Sequence, residues 1–340
     1  LIFFLAMVML GACRDKKSEK KEEGNIQQEN TFVNPLKTEG AQCWANYYNG
    51  WYYYMQEAVD RLELWRTRDI TDLEHAEHKV IWIPKDPSNA HHLWGPEIHP
   101  IAGKWYVYYA ASDDNMDNHQ LFVLENSSAD PFEGEFELKG RISTDKNNNW
   151  AIHPNVFEHR GEWYYIWAEK TGVGRQISNL YIGKMAAANK LCTDQVLLTT
   201  PDYDWERVDF WVNEGPAILK HDGKIFLTFS ASATGACYCM GMMYIDENAD
   251  LLDPHAWTKL RHSVLKTDEE KGIYGPGHNC FVKAEDGVTD LCVYHARPYD
   301  EIIGDPLYDP NRHARIMKVT YDEKGFPVFV YQKVEETEYL

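Results

Sequence analysis

One aromatic strand motif recurs five times along the 340 residues, each time behind a tight turn. The copies are Asn49-Gly50-Trp51-Tyr52-Tyr53-Tyr54-Met55, Gly103-Lys104-Trp105-Tyr106-Val107-Tyr108-Tyr109, Gly161-Glu162-Trp163-Tyr164-Tyr165-Ile166-Trp167, Asp222-Gly223-Lys224-Ile225-Phe226-Leu227-Thr228-Phe229 and Asp286-Gly287-Val288-Thr289-Asp290-Leu291-Cys292-Val293-Tyr294-His295. Successive turn glycines lie 53, 58, 62 and 64 residues apart. Each unit reads as a turn in which glycine accepts positive φ, opening into a strand of aromatic and β-branched residues. No long amphipathic helix separates the copies. A period of about 40 to 60 residues built only of strands is the pattern of a propeller, whose sheets bury their faces against their neighbours. Hairpins of a β-sandwich would instead recur about every 8 to 12 residues. The expected fold is all-β, a five-bladed β-propeller.

The N-terminal region has a different character. Residues 1–13 form an apolar run, too short for the roughly 20 residues a bilayer-spanning helix needs but suited to a signal-peptide core. It ends in Leu10-Gly11-Ala12-Cys13, which resembles a bacterial lipobox with Cys13 as the lipidated residue. Residues 14–31, rich in Lys, Glu and Gln, cannot bury enough apolar surface to fold and read as a tether. The propeller is expected over residues 32–340, held at a bacterial cell envelope, periplasmic or outer-surface, with Cys13 as its membrane contact.

The formal net charge of −19 argues against nucleic acid or anionic membrane surfaces as partners, whereas a neutral oligo- or polysaccharide is not repelled. Besides Cys13 there are Cys43, Cys192, Cys237, Cys239, Cys280 and Cys292, whose spacing matches no zinc signature. Free buried thiols are expected.

Three segments set polar groups beside special backbone signals at the entrance to a blade: Leu93-Trp94-Gly95-Pro96-Glu97-Ile98-His99-Pro100, Val212-Asn213-Glu214-Gly215-Pro216 and Tyr274-Gly275-Pro276-Gly277-His278-Asn279. Propeller topology brings such entrances to one end of the central channel. A carboxyl group held among aromatic rings there has a raised pKa and can protonate a leaving oxygen. Glu214 and Glu97 are the candidates. Aromatic faces with carboxylates and amides suit a glycan, and no phosphate-binding glycine loop or nucleophile elbow is present. His278, between its glycines and the axis, suits a core histidine or one bearing a water or an ion such as Ca²⁺, although the chemistry requires no cofactor.

These stretches, with Tyr294-His295-Ala296-Arg297 and Gly304-Asp305-Pro306-Leu307-Tyr308-Asp309-Pro310-Asn311-Arg312, resemble glycoside hydrolase family 43 over roughly Asn34 to Lys318. The resemblance implies arabinofuranosidase- or β-xylosidase-like chemistry on arabinose- or xylose-containing glycans. It also implies an inverting mechanism with three carboxylates: a general base, an Asp that tunes the acid, and a Glu general acid. Glu214 matches the acid. The base falls at Gln42, in Ala41-Gln42-Cys43-Trp44, and the tuning Asp at His153, in Trp150-Ala151-Ile152-His153-Pro154-Asn155. Trp44, Asp60, Trp94, Glu97, His278, Arg297 and Arg312 are expected to bind substrate.

An amide cannot take a proton from water, and a general base alone contributes about 100- to 10,000-fold. Three readings follow. The chain is a glycosidase in which another group, His153 first and Glu97 or Asp60 after it, positions the water. Alternatively it is a glycan-binding protein on a hydrolase scaffold, or it runs a different reaction with His153 as acid or base.

Overall fold

The structure, a computed structural model, describes residues 31–32, 34–144, 149–170, 177–331 and 338–339. Cys13 and the tether lie outside them. Within them are strands and short 3₁₀ turns arranged as five antiparallel blades. The inner strand of each blade precedes one aromatic repeat: Trp44–Tyr48, His91–Ile101, Ala151–His159, Trp211–His221 and Tyr274–Lys283.

The turn chemistry explains the repeat. In the first four blades the inner hairpin closes over two residues, both at positive φ: Asn49 and Gly50, Ala102 and Gly103, Arg160 and Gly161, Asp222 and Gly223. That is the two-residue geometry whose twist matches paired strands. The fifth blade has a longer loop between Lys283 and Asp290, where the Asp286 carboxylate accepts hydrogen bonds from the backbone N–H groups of Val288 and Thr289 and from the Thr289 hydroxyl.

The core lies between blades. One cluster joins the first and second blades through Tyr53, Leu64, Val107 and Tyr109. A larger one, with Trp167 and Phe229, fills the second to fourth. Others seal the fourth against the fifth and the fifth against the first. The ring is closed by the start of the propeller, which runs along the outer strand of the fifth blade, His313–Lys318. Leu36 N–H donates to Ala314 C=O at 2.8 Å, Ala314 N–H donates to Lys37 C=O at 2.9 Å, and the Asn34 amide both donates to and accepts from the Ile316 backbone. Gly40 is required at this seam, since a Cβ there would stand 2.4 Å from Ala314 Cβ.

All six cysteines from Cys43 onward are free. Cys43, Cys239, Cys280 and Cys292 are buried as expected, but Cys192 is exposed and Cys237 half-buried.

The chain is also kinked within each inner strand, or just before it in the first blade, where it nears the axis. A left-handed residue lies eight positions before the turn glycine in four blades (Gln42, Gly95, His153, Gly215) and nine before it in the fifth (His278). In the last four blades the strand register shifts at this point. All five residues line an axial cavity of about 10 Å³, the size of one water molecule. Glycine adopts this conformation freely. Gln42 (φ 52°), His153 (φ 51°) and His278 (φ 47°) hold it at a cost of about 1 to 3 kcal/mol each, of the kind that persists where packing over-determines the backbone.

Candidate active site

The kinks present side chains at or just before them to one mouth of the channel, where a pocket of about 330 Å³ opens. Its floor carries Gln42, His153 and Glu214, and its walls carry Trp94, Trp150 and Phe210.

Glu214 sits one residue before the left-handed Gly215. Its Oε1 accepts a hydrogen bond from the Tyr238 hydroxyl at 2.9 Å. Tyr238 reaches it because Gly277 has no side chain: a Cβ there would lie 2.5 Å from the Tyr238 ring. Burial lifts the Glu214 carboxyl to about 7, against the Tyr238 hydrogen bond and the charges of Lys170 and Arg312. It is therefore a carboxylic acid that still holds its proton near neutral pH.

His153 is buried beside it, with Nδ1 3.8 Å from Glu214 Oε2 and its ring edge-on to His278 at 4.5 Å. Neither His153 nitrogen has a hydrogen-bond partner among the described residues. Burial, reinforced by nearby His278, His119 and Arg312, holds its pKa well below the ordinary histidine value, so the ring is neutral. A general base acting across the sugar from the acid must stand about 6.5 to 9.5 Å away. His153 adjoins the acid instead, and the expectation that it replaces the base does not fit this geometry.

Gln42 faces the same pocket with its amide oxygen engaged, since Oε1 accepts the Gly95 N–H at 2.6 Å. Its own backbone N–H donates to His295 Nδ1 at 3.2 Å, which places the His295 proton on Nε2.

Other expected site residues occupy different places. Glu97 lies in the axial layer below the pocket, bonded to His99 Nε2 at 3.0 Å and to the Asn155 amide at 3.2 Å, and burial pushes its carboxyl well up. Trp44 is packed in the same layer, 5.0 Å from the His99 ring, with Nε1 donating to Ile98 C=O. Asp60 is exposed and paired with Arg61 at 3.1 Å, outside the pocket. Arg297 and Arg312 are buried braces: Arg297 donates to Thr234 C=O and Pro306 C=O at 2.5 and 2.6 Å, and Arg312 donates to Glu57 and to Leu307 C=O. They hold the rim loops that carry Thr234, Asp305 and Leu307 into the pocket. Arginine in a rim motif reads as a ligand in sequence; its length let it reach backbone carbonyls instead.

His278 lines the axial cavity, and its ring crowds the space a Cβ on Gly215 would take, with Nδ1 3.1 Å from that point. Among the described residues no three His, Cys, Asp or Glu side chains are arranged to hold a metal ion.

Trp94 does enter the pocket, its ring stacked on His119 at 4.1 Å. Sequence reading missed Trp150, Phe210, Lys170 and Tyr238. Lys170 lies over the Trp150 ring at 3.9 Å. Trp150 alone carried a signal, standing three residues before His153 as an aromatic at a blade entrance.

The family model described as "Glycosyl hydrolases family 43" matches residues 32–327. An extracellular exo-α-(1→5)-L-arabinofuranosidase of Streptomyces chartreusis is 42% identical over 280 residues, covering 81% of this chain and 85% of the relative. A relative of the same description from Streptomyces avermitilis is 41% identical over 305 residues, 88% of this chain; the chain spans 63% of that relative's length. Among solved structures, an α-L-arabinofuranosidase from Lactobacillus brevis superposes with a TM-score of 0.84 at 40% identity, covering 88% of this chain and 96% of its own.

Proposed function

Because the chain belongs to glycosyl hydrolase family 43, we propose that it is a glycosidase that acts on arabinose-containing glycans and releases arabinofuranosyl units, with Glu214 as the general acid. The observation that carries this reading is a carboxyl group held at about 7 by burial, inside an aromatic-walled pocket. The arabinose specificity is drawn from the arabinofuranosidase activities of the relatives.

The chemistry runs from the residues. The sugar enters between the aromatic walls, Glu214 gives its proton to the departing glycosidic oxygen, and water attacks the opposite face of the ring. Gln42 can orient that water by hydrogen bonding but cannot accept its proton. His153 occupies the position beside the acid where a carboxylate would raise the acid further by like charge. Being neutral, it leaves burial as the main force holding the Glu214 proton. The expected outcome is slow hydrolysis.

The test is release of arabinose from 4-nitrophenyl α-L-arabinofuranoside and from α-1,5-arabino-oligosaccharides. Because Glu214 must be protonated, kcat on the oligosaccharides should fall as pH rises through about 7, by about tenfold per unit beyond it. No release at any pH, across both substrates, overturns the reading.

One observation favours a second reading, binding without turnover: the Gln42 amide oxygen is already committed to Gly95. Calorimetry showing oligosaccharide affinity without product would establish it.

Lipid anchoring at Cys13 is proposed from Leu10-Gly11-Ala12-Cys13. Cys13→Ser is expected to move the protein from the membrane fraction to the soluble fraction of a bacterial host. An unchanged membrane fraction would remove the anchor.

A further inference from the structure

The Glu214 carboxyl has one hydrogen-bond partner among the described residues, the Tyr238 hydroxyl, which donates to Oε1 at 2.9 Å. Oε2 lies 3.8 Å from His153 Nδ1, beyond hydrogen-bond reach. We propose that Tyr238 is the positioning residue of the acid: it fixes the transferable proton on Oε2 and stabilises the carboxylate left once that proton has gone to the leaving oxygen. The proposal rests on the glycosidase reading and names the group that holds its acid.

The direction of the bond follows from the groups behind it. The backbone N–H of His278, a donor only, gives its hydrogen to Ser230 Oγ at 2.7 Å. The Ser230 hydroxyl donates in turn to the Tyr238 oxygen, which leaves the Tyr238 hydrogen for Glu214. A carboxylic acid has one oxygen that accepts and one that carries the proton. With Oε1 accepting, the proton belongs to Oε2. Tyr238 is itself fixed. It is 1% exposed, its ring stacks on His295 at 5.5 Å, and Gly277 leaves the space that its edge fills. His295 Nδ1 also accepts the Gln42 backbone N–H at 3.2 Å, so this pair of rings ties the acid to the residue at the base position.

The value of the bond changes during the reaction. In the ground state it joins two neutral groups. As the proton passes from Oε2 to the glycosidic oxygen, the bond from that oxygen to the anomeric carbon breaks, water bonds to the carbon, and negative charge develops on Glu214. The Tyr238 bond then becomes charge-assisted, about twice as strong. An interaction stronger in the transition state than in the ground state raises kcat. Tyr238 keeps its own proton throughout, since burial first, and then the nearby Glu214 charge, hold its hydroxyl well above the ordinary tyrosine value.

The test removes one oxygen. Tyr238→Phe keeps the ring on His295 and deletes the donor. Because the donor favours the ionised carboxyl, its loss should move the alkaline limb of kcat upward from about 7 by about one pH unit. Below that limb, kcat on α-1,5-arabino-oligosaccharides should fall about tenfold. The rate on 4-nitrophenyl α-L-arabinofuranoside, whose leaving group needs no proton, should fall much less. Tyr238→3-fluorotyrosine, a stronger donor that keeps the hydroxyl, should move the limb downward and serves if the phenylalanine variant does not fold. Infrared titration reads Glu214 without turnover: the protonated-carboxyl band that Glu214→Gln removes should lie at higher wavenumber in Tyr238→Phe, with its midpoint raised. A limb and midpoint unmoved in the folded variants, or lowered by phenylalanine, overturn the positioning role, as do equal losses on both substrates. If the wild type hydrolyses nothing, the infrared band decides separately: a raised midpoint in Tyr238→Phe keeps the role while the glycosidase reading falls, and an unchanged one removes both.

Discussion

Gln42→Asp is expected to raise kcat on α-1,5-arabino-oligosaccharides by about 100- to 10,000-fold, the range a general base contributes. The backbone is ready for it. Residue 42 sits at φ 52°, a region aspartate tolerates better than most side chains, including glutamine. The Gly95 N–H that now donates to the amide oxygen at 2.6 Å can donate to one carboxylate oxygen, a charge-assisted bond, leaving the other to receive a proton from water. Gln42→Glu keeps the present reach and separates the effect of charge from that of length. A second carboxylate in the pocket should also raise Glu214 by like-charge repulsion, moving the alkaline limb above its starting point of about 7. Steady-state rates across pH measure both effects. A folded Gln42→Asp variant with no gain would show that water does not attack from this side of the pocket.

The blades were legible because turn chemistry and aromatic strands are local: two residues at positive φ and the strand after them belong to one short stretch of chain. Glu214 was legible for a similar reason, since its neighbour Gly215 marks the kink that aims it. The position eight or nine residues before each turn glycine is a regular feature of the sequence, yet its meaning is three-dimensional. Only the closed ring shows that Gln42, Gly95, His153, Gly215 and His278 meet at the axis. Arg297 and Arg312 misled because a polar residue in a rim motif does not reveal which way it points, and the carbonyls that hold them belong to loops remote in sequence. Glu97 misled for a subtler reason. It follows Gly95 by two residues where Glu214 precedes Gly215 by one, which places it past the kink, in the axial layer with His99 and Asn155 instead of the pocket. Phe210 and Lys170 come from loops with no repeat to index them.

Glu214→Gln should abolish most turnover of oligosaccharides, by about 100- to 10,000-fold, while leaving binding nearly intact. Glutamine has the shape of the carboxylic acid, and its Oε1 can still accept the Tyr238 hydroxyl now at 2.9 Å, so the pocket keeps its form. What it loses is the proton. The loss should therefore depend on the leaving group: large for a sugar alcohol, which departs only when protonated, and much smaller for 4-nitrophenolate, which leaves as an anion. The alkaline limb near 7 should vanish with it, because no group of that pKa then remains to be titrated on the reaction path. A merely structural Glu214 predicts the opposite pattern, with both substrates losing rate equally, affinity falling, and the limb retained. Parallel kcat measurements on the two leaving groups, with calorimetry on the variant, separate these cases. Equal losses on both substrates would take the acid role from Glu214, and an unchanged oligosaccharide rate would remove it from the mechanism altogether.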